Sequence, residues 1–309
     1  MRAPDPGRQG AQDRIGRRMK LSRRRFLTIS AAFAAMPATA HAAHWQGRAF
    51  GADVSLTLRG PRDAAEVALR EARALLVQIE ALFSLYDPAS ALVALNRTGT
   101  LSRPDARFVE LMEAADHAHG VTGGLFDPTV QPLWAALAGG QDADVARGLI
   151  GWERVRFDPS RIALGQGQAL TFNGIAQGYA TAEIDDELVA RGLTDTLVNI
   201  GEHRGLGGPW TRGIEDPVHG RLGMRTITQG AIATSSATAT MLGAGGHILH
   251  SHARPLWSTV SVEAARATVA DSLSTAMVLA TRDQIATITA RADVHRVTLV
   301  DFEGNLTTI

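Results

Sequence analysis

Asp271 and Thr275 stand four residues apart in Ala270-Asp271-Ser272-Leu273-Ser274-Thr275-Ala276. On a helix that spacing puts a carboxylate and a hydroxyl on one face. Such a pair suits a hard cation such as Mg²⁺, which takes oxygen ligands and commonly bridges to phosphate. A second stretch, Leu170 to Gly201, supplies what such a site needs. A short apolar run ends in Asn173-Gly174, a small-residue helix start follows, and a strand from Thr196 to Ile200 closes on Gly201. Gly174 and Gly178 let backbone approach a ligand, and the helix N-terminus beside them suits an anion. Spacing alone equally admits a plainer reading, with Asp271 near a helix start and Thr275 in the core.

The histidines carry less. His247, His250 and His252 invite a zinc reading, but on a strand i and i+3 face opposite sides, and no carboxylate motif lies near. His117 and His119, just before Gly120, read as the end of a helix meeting its dipole. Glu202-His203-Arg204 follows the Gly201 turn and reads either as a contact to a ligand or as a solvated loop.

The elements that must hold these groups follow from pattern. Residues 48–58 alternate as one strand, and Pro61 breaks it. Asp63 and Glu66 stand in capping-box position for an amphipathic helix reaching Phe83. Tyr86-Asp87-Pro88 is a turn, and Leu92 to Asn96 a short helix or loop. Asp105 to His119 is a second amphipathic helix, followed by a loop at 123–129 and a short helix around Trp134. Residues 139–147 read as exposed. Short strands are expected at 155–157, 161–164, 169–172, 197–200, 210–214, 223–228, 247–250, 259–262 and 296–300, with helices around Asp271 and over 282–290. Strands and helices mix without a steady βαβ beat, so the fold class is α+β.

Composition and the N-terminus bound the setting. Cys is absent, which removes disulfides, thiolate zinc, Fe–S clusters and any lipid-anchor thiol. The formal net charge is +0 and gives no hint of a nucleic-acid partner. Ser22-Arg23-Arg24-Arg25-Phe26-Leu27-Thr28 is a twin-arginine pattern. An Ala-rich segment to Ala40 follows, with Ala40-His41-Ala42 as a cleavage site. That segment is too short and too weakly apolar for a membrane span. Residues 1–42 are therefore expected to be an export signal, with Met19 as an alternative start. Residues 43–309 are expected to be one periplasmic domain with no integral membrane segment.

The ordered motifs resemble one family. Phe83-Ser84-Leu85-Tyr86 with Leu95-Asn96, Phe126-Asp127-Pro128-Thr129, Asn173-Gly174-Ile175-Ala176-Gln177-Gly178-Tyr179-Ala180, Val198-Asn199-Ile200-Gly201, Ala233-Thr234-Ser235, His247-Ile248 and the Asp271 segment are similar to those of the FAD:protein FMN transferases, the ApbE-like flavin transferases. The resemblance implies an α+β fold of mixed and antiparallel sheets with flanking helices. It implies FAD as substrate, Mg²⁺ on the pyrophosphate, and transfer of FMN to a Thr or Ser hydroxyl of an acceptor protein with release of AMP. Carried over by position, Asp271, Thr275 and the Gly174 carbonyl would hold the metal. Tyr86 would lie as an aromatic lid at the flavin end, and Leu125, Phe126, Asp127, Thr171, Gln177 and Ile248 would complete the FAD site. His247 would assist the acceptor hydroxyl. The acceptor is expected to be a respiratory electron-transfer component in the periplasm or attached to the membrane.

Four positions depart from the family pattern: Thr171 where Asp is usual, Gln177 where Lys is usual, His250-Ser251-His252-Ala253-Arg254 after His247, and Phe50-Gly51-Ala52 early in the chain. Gln177 can still donate a hydrogen bond to phosphate, without charge assistance. These departures leave open a non-catalytic FAD-binding or delivery protein; a further alternative, which keeps Asp271 and Thr275 essential, is an FAD pyrophosphatase giving FMN and AMP.

Overall fold

A hairpin opens the fold where one strand was expected. In the computed structural model, which describes residues 42–242 and 245–309, β1 (Ala42–Ala49) and β2 (Ala52–Arg59) pair antiparallel. Phe50 and Gly51 turn the chain with φ of 51° and 75°, the geometry of a tight hairpin turn. The alternation of residue types runs straight through this turn, which hides it from pattern reading. The expected export signal, except Ala42, lies outside the described residues.

The first half is mostly helical. α1 (Arg62–Phe83) buries Ala65, Ala68, Ala72, Leu76, Ile79 and Phe83, a stripe at helical spacing. Its expected capping box does not form. Pro61 holds the cap position, and Glu66 pairs with Arg62 at 2.9 Å. α2 (Ala91–Thr98) is capped by the Ser90 side chain and α3 (Ala106–Val121) by Asp105; α3 stands where the second amphipathic helix was expected, though it runs on through Gly120. β3 (Thr100–Ser102) precedes α3. α4 (Gln131–Ala138) and α5 (Ala143–Arg147) follow it. β4 (Arg156–Asp158) and β5 (Arg161–Ala163) join β3 in a small antiparallel sheet ordered β3-β5-β4. The strand expected at 169–172 is an extended segment with no ladder. Leu170 exchanges two hydrogen bonds with the Asn96 side chain, at 2.7 and 2.8 Å, and Thr171 N donates to the Pro128 carbonyl at 2.9 Å.

The second half builds the main sheet. α6 (Ala176–Ala190) leads to β6 (Thr196–Asn199), then to a long antiparallel ribbon of β7 (His203–Asp216) and β8 (Gly220–Ser236). The strands expected at 210–214 and 223–228 are its outer part. β9 (Met241–Leu242) and β10 (Gly245–Gly246) form a separate short pair. β11 (Thr259–Ala264), α7 (Ala267–Met277), α8 (Arg282–Arg291), β12 (Val294–Val300) and β13 (Leu306–Thr308) complete the chain. Residues 247–250, expected as a strand, form none. Among the described residues the main sheet has eight strands in the order β1-β2-β6-β7-β8-β11-β12-β13, antiparallel throughout. The α+β expectation therefore holds.

Helices cover one face of this sheet. One core joins α1, α2, α3 and α6 to β2 and β6, with Phe83, Phe108, Phe172 and Tyr179 packed ring to ring. A second joins α7 and α8 to β8, β11 and β12. On the other face the outer ribbon turns back over the sheet. Asp216 accepts from Ser258 and Thr259 at 2.6 and 2.7 Å, Arg225 pairs with Glu263 at 3.4 Å, and the Arg59 guanidinium lies 3.8 Å over the Trp210 ring. Both cores meet where α6 crosses α7, and that crossing positions the site.

Candidate active site

The crossing is set by a glycine. A Cβ on Gly178 would lie 2.5 Å from the Ala267 carbonyl oxygen and 2.5 Å from Asp271 Cβ, closer than any side chain permits. The missing side chain lets the first turn of α6 reach α7, and Gly178 N donates to Asp271 Oδ2 at 2.8 Å. The anion expected at this helix N-terminus is thus, in part, the protein's own carboxylate.

Asp271 is buried, with 2% of its surface exposed. Burial pushes its carboxyl up to about 7, against the Gly178 N–H, which favours the ionised form. Glu202 lies beside it, also buried, and accepts from Thr234 N at 3.0 Å. Its carboxyl is pushed well above the usual range by burial and by the neighbouring Asp271 charge. Among the described residues no cationic side chain offsets either group. Hydroxyls complete the surroundings: Thr275 Oγ1 is 3.2 Å from Ser235 Oγ, which is 2.8 Å from Ser274 Oγ. Gly174 sits against Thr275, where an added Cβ would lie 2.9 Å from Oγ1. Asp271, Thr275 and Gly174 are therefore together. Two uncompensated buried carboxylates amid hydroxyls fit a hard divalent cation. Among the described residues no cluster of three or more His, Asp or Glu offers a metal site of the all-side-chain kind.

These residues floor a cleft of about 380 Å³. The residues that the resemblance assigns to metal, FAD and acceptor line it: Tyr86, Leu125, Phe126, Asp127, Thr171, Gly174, Gln177, His247, Ile248, Asp271 and Thr275. Tyr86 stands at the rim, 68% exposed, whereas Phe126 and Ile248 are largely buried and belong to the cores as well. Asp127 Oδ1 accepts from both Thr129 N at 2.8 Å and Thr129 Oγ1 at 2.6 Å, which fixes the turn below the cleft. Gln177 lies over Gly201, where a Cβ would meet its amide nitrogen at 2.6 Å. His247 has a buried Nδ1 with no hydrogen-bond partner, and burial lowers its pKa, partly offset by the Thr240 backbone. Its ring is neutral at neutral pH.

Glu202 is the residue that sequence reasoning left undecided. Its only local signal is the Gly201 turn, with φ of 87°. What brings it to the site is the pairing of β7 with β8, a long-range register that no local pattern shows. Ser235, Thr234 and Trp134 also line the cleft; the first two belong to a motif already noted, and Trp134 was read only as a helix residue.

A second cavity of about 310 Å³ lies behind α7, among Glu110, Val121, Tyr179, Glu183 and Leu273. It contains none of the expected site residues.

The sequence profile described as the ApbE family matches residues 50–298. No curated protein matches the chain. Solved structures do. The flavin transferase ApbE from Vibrio cholerae superposes with a TM-score of 0.75 at 22% identity, covering 87% of this chain and 97% of that one. An ApbE protein from Thermotoga maritima gives 0.75 at 23%, covering 86% and 96%. The apo form of the flavinyl transferase ApbE from Pseudomonas stutzeri gives 0.76 at 26%, covering 89% and 96%.

Proposed function

The chain belongs to the ApbE family, and from that membership we propose that it is a flavin transferase that moves FMN from FAD to a Thr or Ser hydroxyl of an acceptor protein. One observation carries the reading beyond family membership. The buried, uncompensated pair of Asp271 and Glu202 sits with Thr275 and Gly174 at the floor of a cleft beside a helix N-terminus. That is the donor set a pyrophosphate-bridging cation needs.

In this reading Asp271, Thr275 and the Gly174 carbonyl would hold Mg²⁺. Bound there, the ion would neutralise charge on the pyrophosphate oxygens, the main demand of phosphoryl transfer. The chain's own groups do the rest. The α6 N-terminus faces the phosphates, with Gln177 as a neutral donor beside it. Tyr86 at the rim closes over the flavin end. His247, neutral because it is buried, takes the proton from the acceptor hydroxyl as its oxygen bonds to the FMN phosphorus. The bond from that phosphorus to the AMP oxygen breaks, and AMP leaves. A base so placed contributes about 10²–10⁴-fold. The twin-arginine pattern at Arg23-Arg24 supports a periplasmic location, and with it a respiratory acceptor.

Titrating FAD into the protein and following flavin fluorescence tests the first half of this. Binding is expected to saturate, to strengthen with Mg²⁺, and to lose that Mg²⁺ response in Asp271→Asn. A wild-type protein that ignores FAD in Mg²⁺ contradicts the reading.

A further inference from the structure

His250 stands just past the cleft, where the sequence departs from the family pattern, and both of its ring nitrogens are committed. Nδ1 accepts from the backbone N–H of His252 at 3.1 Å and of Ala253 at 3.0 Å. Nε2 lies 3.2 Å from the Gly124 carbonyl oxygen. Two donors on one nitrogen and a carbonyl on the other specify one species: the neutral ring protonated at Nε2, donating to Gly124. Gly124 begins the run Gly124-Leu125-Phe126-Asp127, whose last three residues line the cleft. Among the described residues, the other hydrogen bonds of residues 124–126 run to their own helix. Phe126 N donates to Thr122 Oγ1 at 3.0 Å, Gly124 N donates to the His119 carbonyl at 2.8 Å, and His119 Nδ1 lies 2.9 Å from the Phe126 carbonyl. The segment carrying His250 is held from below, where Arg147 donates to the Ser251 carbonyl at 3.1 Å. His250 thus links by a hydrogen bond the loop of the 125–127 wall to the segment whose His247, Ile248 and Leu249 form the other wall, beside the apolar packing of Leu125 on the core that holds Ile248.

We propose that His250 is a positioning residue: through Gly124 it sets the spacing of the two cleft walls. For its effect on FAD the inference rests on the function proposed above; the tether itself does not.

Two substitutions separate the two nitrogens. The amide nitrogen of Gln reaches the place of Nε2 and restores the donor to Gly124. The carbonyl oxygen of Asn reaches the place of Nδ1, keeps the two backbone donors satisfied, and cannot reach Gly124. The full chain is compared as wild type, His250→Gln, His250→Asn and His250→Ala, after thermal melts establish that the variants fold. Hydrogen exchange of the ligand-free protein is read over residues 123–127, and the Kd for FAD is measured with Mg²⁺. His250→Gln is expected to behave as wild type in both. His250→Asn is expected to exchange faster and to bind FAD roughly threefold to tenfold more weakly, the effect of one hydrogen bond. His250→Ala follows Asn; should it fail to fold, the Gln and Asn pair decides. Rescue by Asn and not by Gln would overturn the proposal, because the ring would then serve only the turn at 250–253. Equality of all variants with wild type also overturns it. If exchange follows the expected order while wild type ignores FAD, the tether stands and the flavin reading falls.

Discussion

Asp271 is the residue on which the account turns, and its titration gives it a stability readout. In the cation-free fold it holds its proton up to about pH 7, whereas the ordinary value is 3.8. Between those limits the folded state binds more protons than the unfolded one, so stability falls as pH rises through this window. A divalent cation bound there, as proposed, would replace the proton and remove the penalty. Thermal melts are therefore expected to show a Mg²⁺-dependent rise at pH 8 that shrinks at pH 5 and disappears in Asp271→Asn. An equal rise at both pH values, or one retained by the variant, contradicts the assignment. Tyr86 makes the opposite case. It is 68% exposed, so Tyr86→Ala is expected to change stability by no more than about 0.5 kcal/mol. The same variant is expected to weaken FAD binding by roughly 0.5–1.5 kcal/mol through the lost aromatic contact. A variant that unfolds more easily but binds FAD normally would make Tyr86 structural.

At the scale of elements, the crossing of α6 and α7 decides whether the site exists. Gly178→Ala places a methyl group where Ala267 O and Asp271 Cβ already stand. The expected cost is about 1–3 kcal/mol, together with loss of the Mg²⁺ response, because the helices must part and Gly178 N must leave Asp271. Chemical denaturation with and without Mg²⁺ checks both, and a stable variant with an intact response contradicts the account of the crossing. This crossing also shows what was legible in the sequence. Asp271 and Thr275 at i, i+4 and the glycines at 174 and 178 carried their chemistry in local spacing, and these groups lie together. The main helices were legible because each buries a periodic face. Other features had no local trace. The β1–β2 turn lay inside an unbroken alternation. In the outer ribbon of β7 and β8 only 210–214 and 223–228 carry a strand pattern; Gly207, Gly208 and Pro209 interrupt β7. Residues 169–172 are apolar and extended, yet their partners are Asn96 and Pro128 rather than a neighbouring strand. The same holds at 247–250, so the strand argument used against zinc there does not apply. The capping box at Asp63 gave way to Pro61, whose ring already fixes the φ of the cap.

At the scale of the whole molecule, an antiparallel sheet clad by helices on one face presents one cleft whose lining gathers Tyr86, Leu125, Phe126, Asp127, Thr171, Gly174, Gln177, His247, Ile248, Asp271 and Thr275. No described helix is long and apolar enough to cross a membrane. The proposed export rests on Arg23 and Arg24. Replacing both with Lys is expected to abolish appearance of the protein in the periplasmic fraction, measured by fractionation and immunoblot; unchanged export would remove the twin-arginine assignment and leave the chemistry untouched. The central claim is transfer. The protein is mixed with FAD, Mg²⁺ and a candidate acceptor domain, and the products are read by in-gel flavin fluorescence after denaturation and by assay of AMP. The account predicts a fluorescent acceptor band with matching AMP release, both lost in Asp271→Asn. AMP without a labelled band would mark a pyrophosphatase, and tight FAD binding with no AMP across a panel of acceptors would contradict the account.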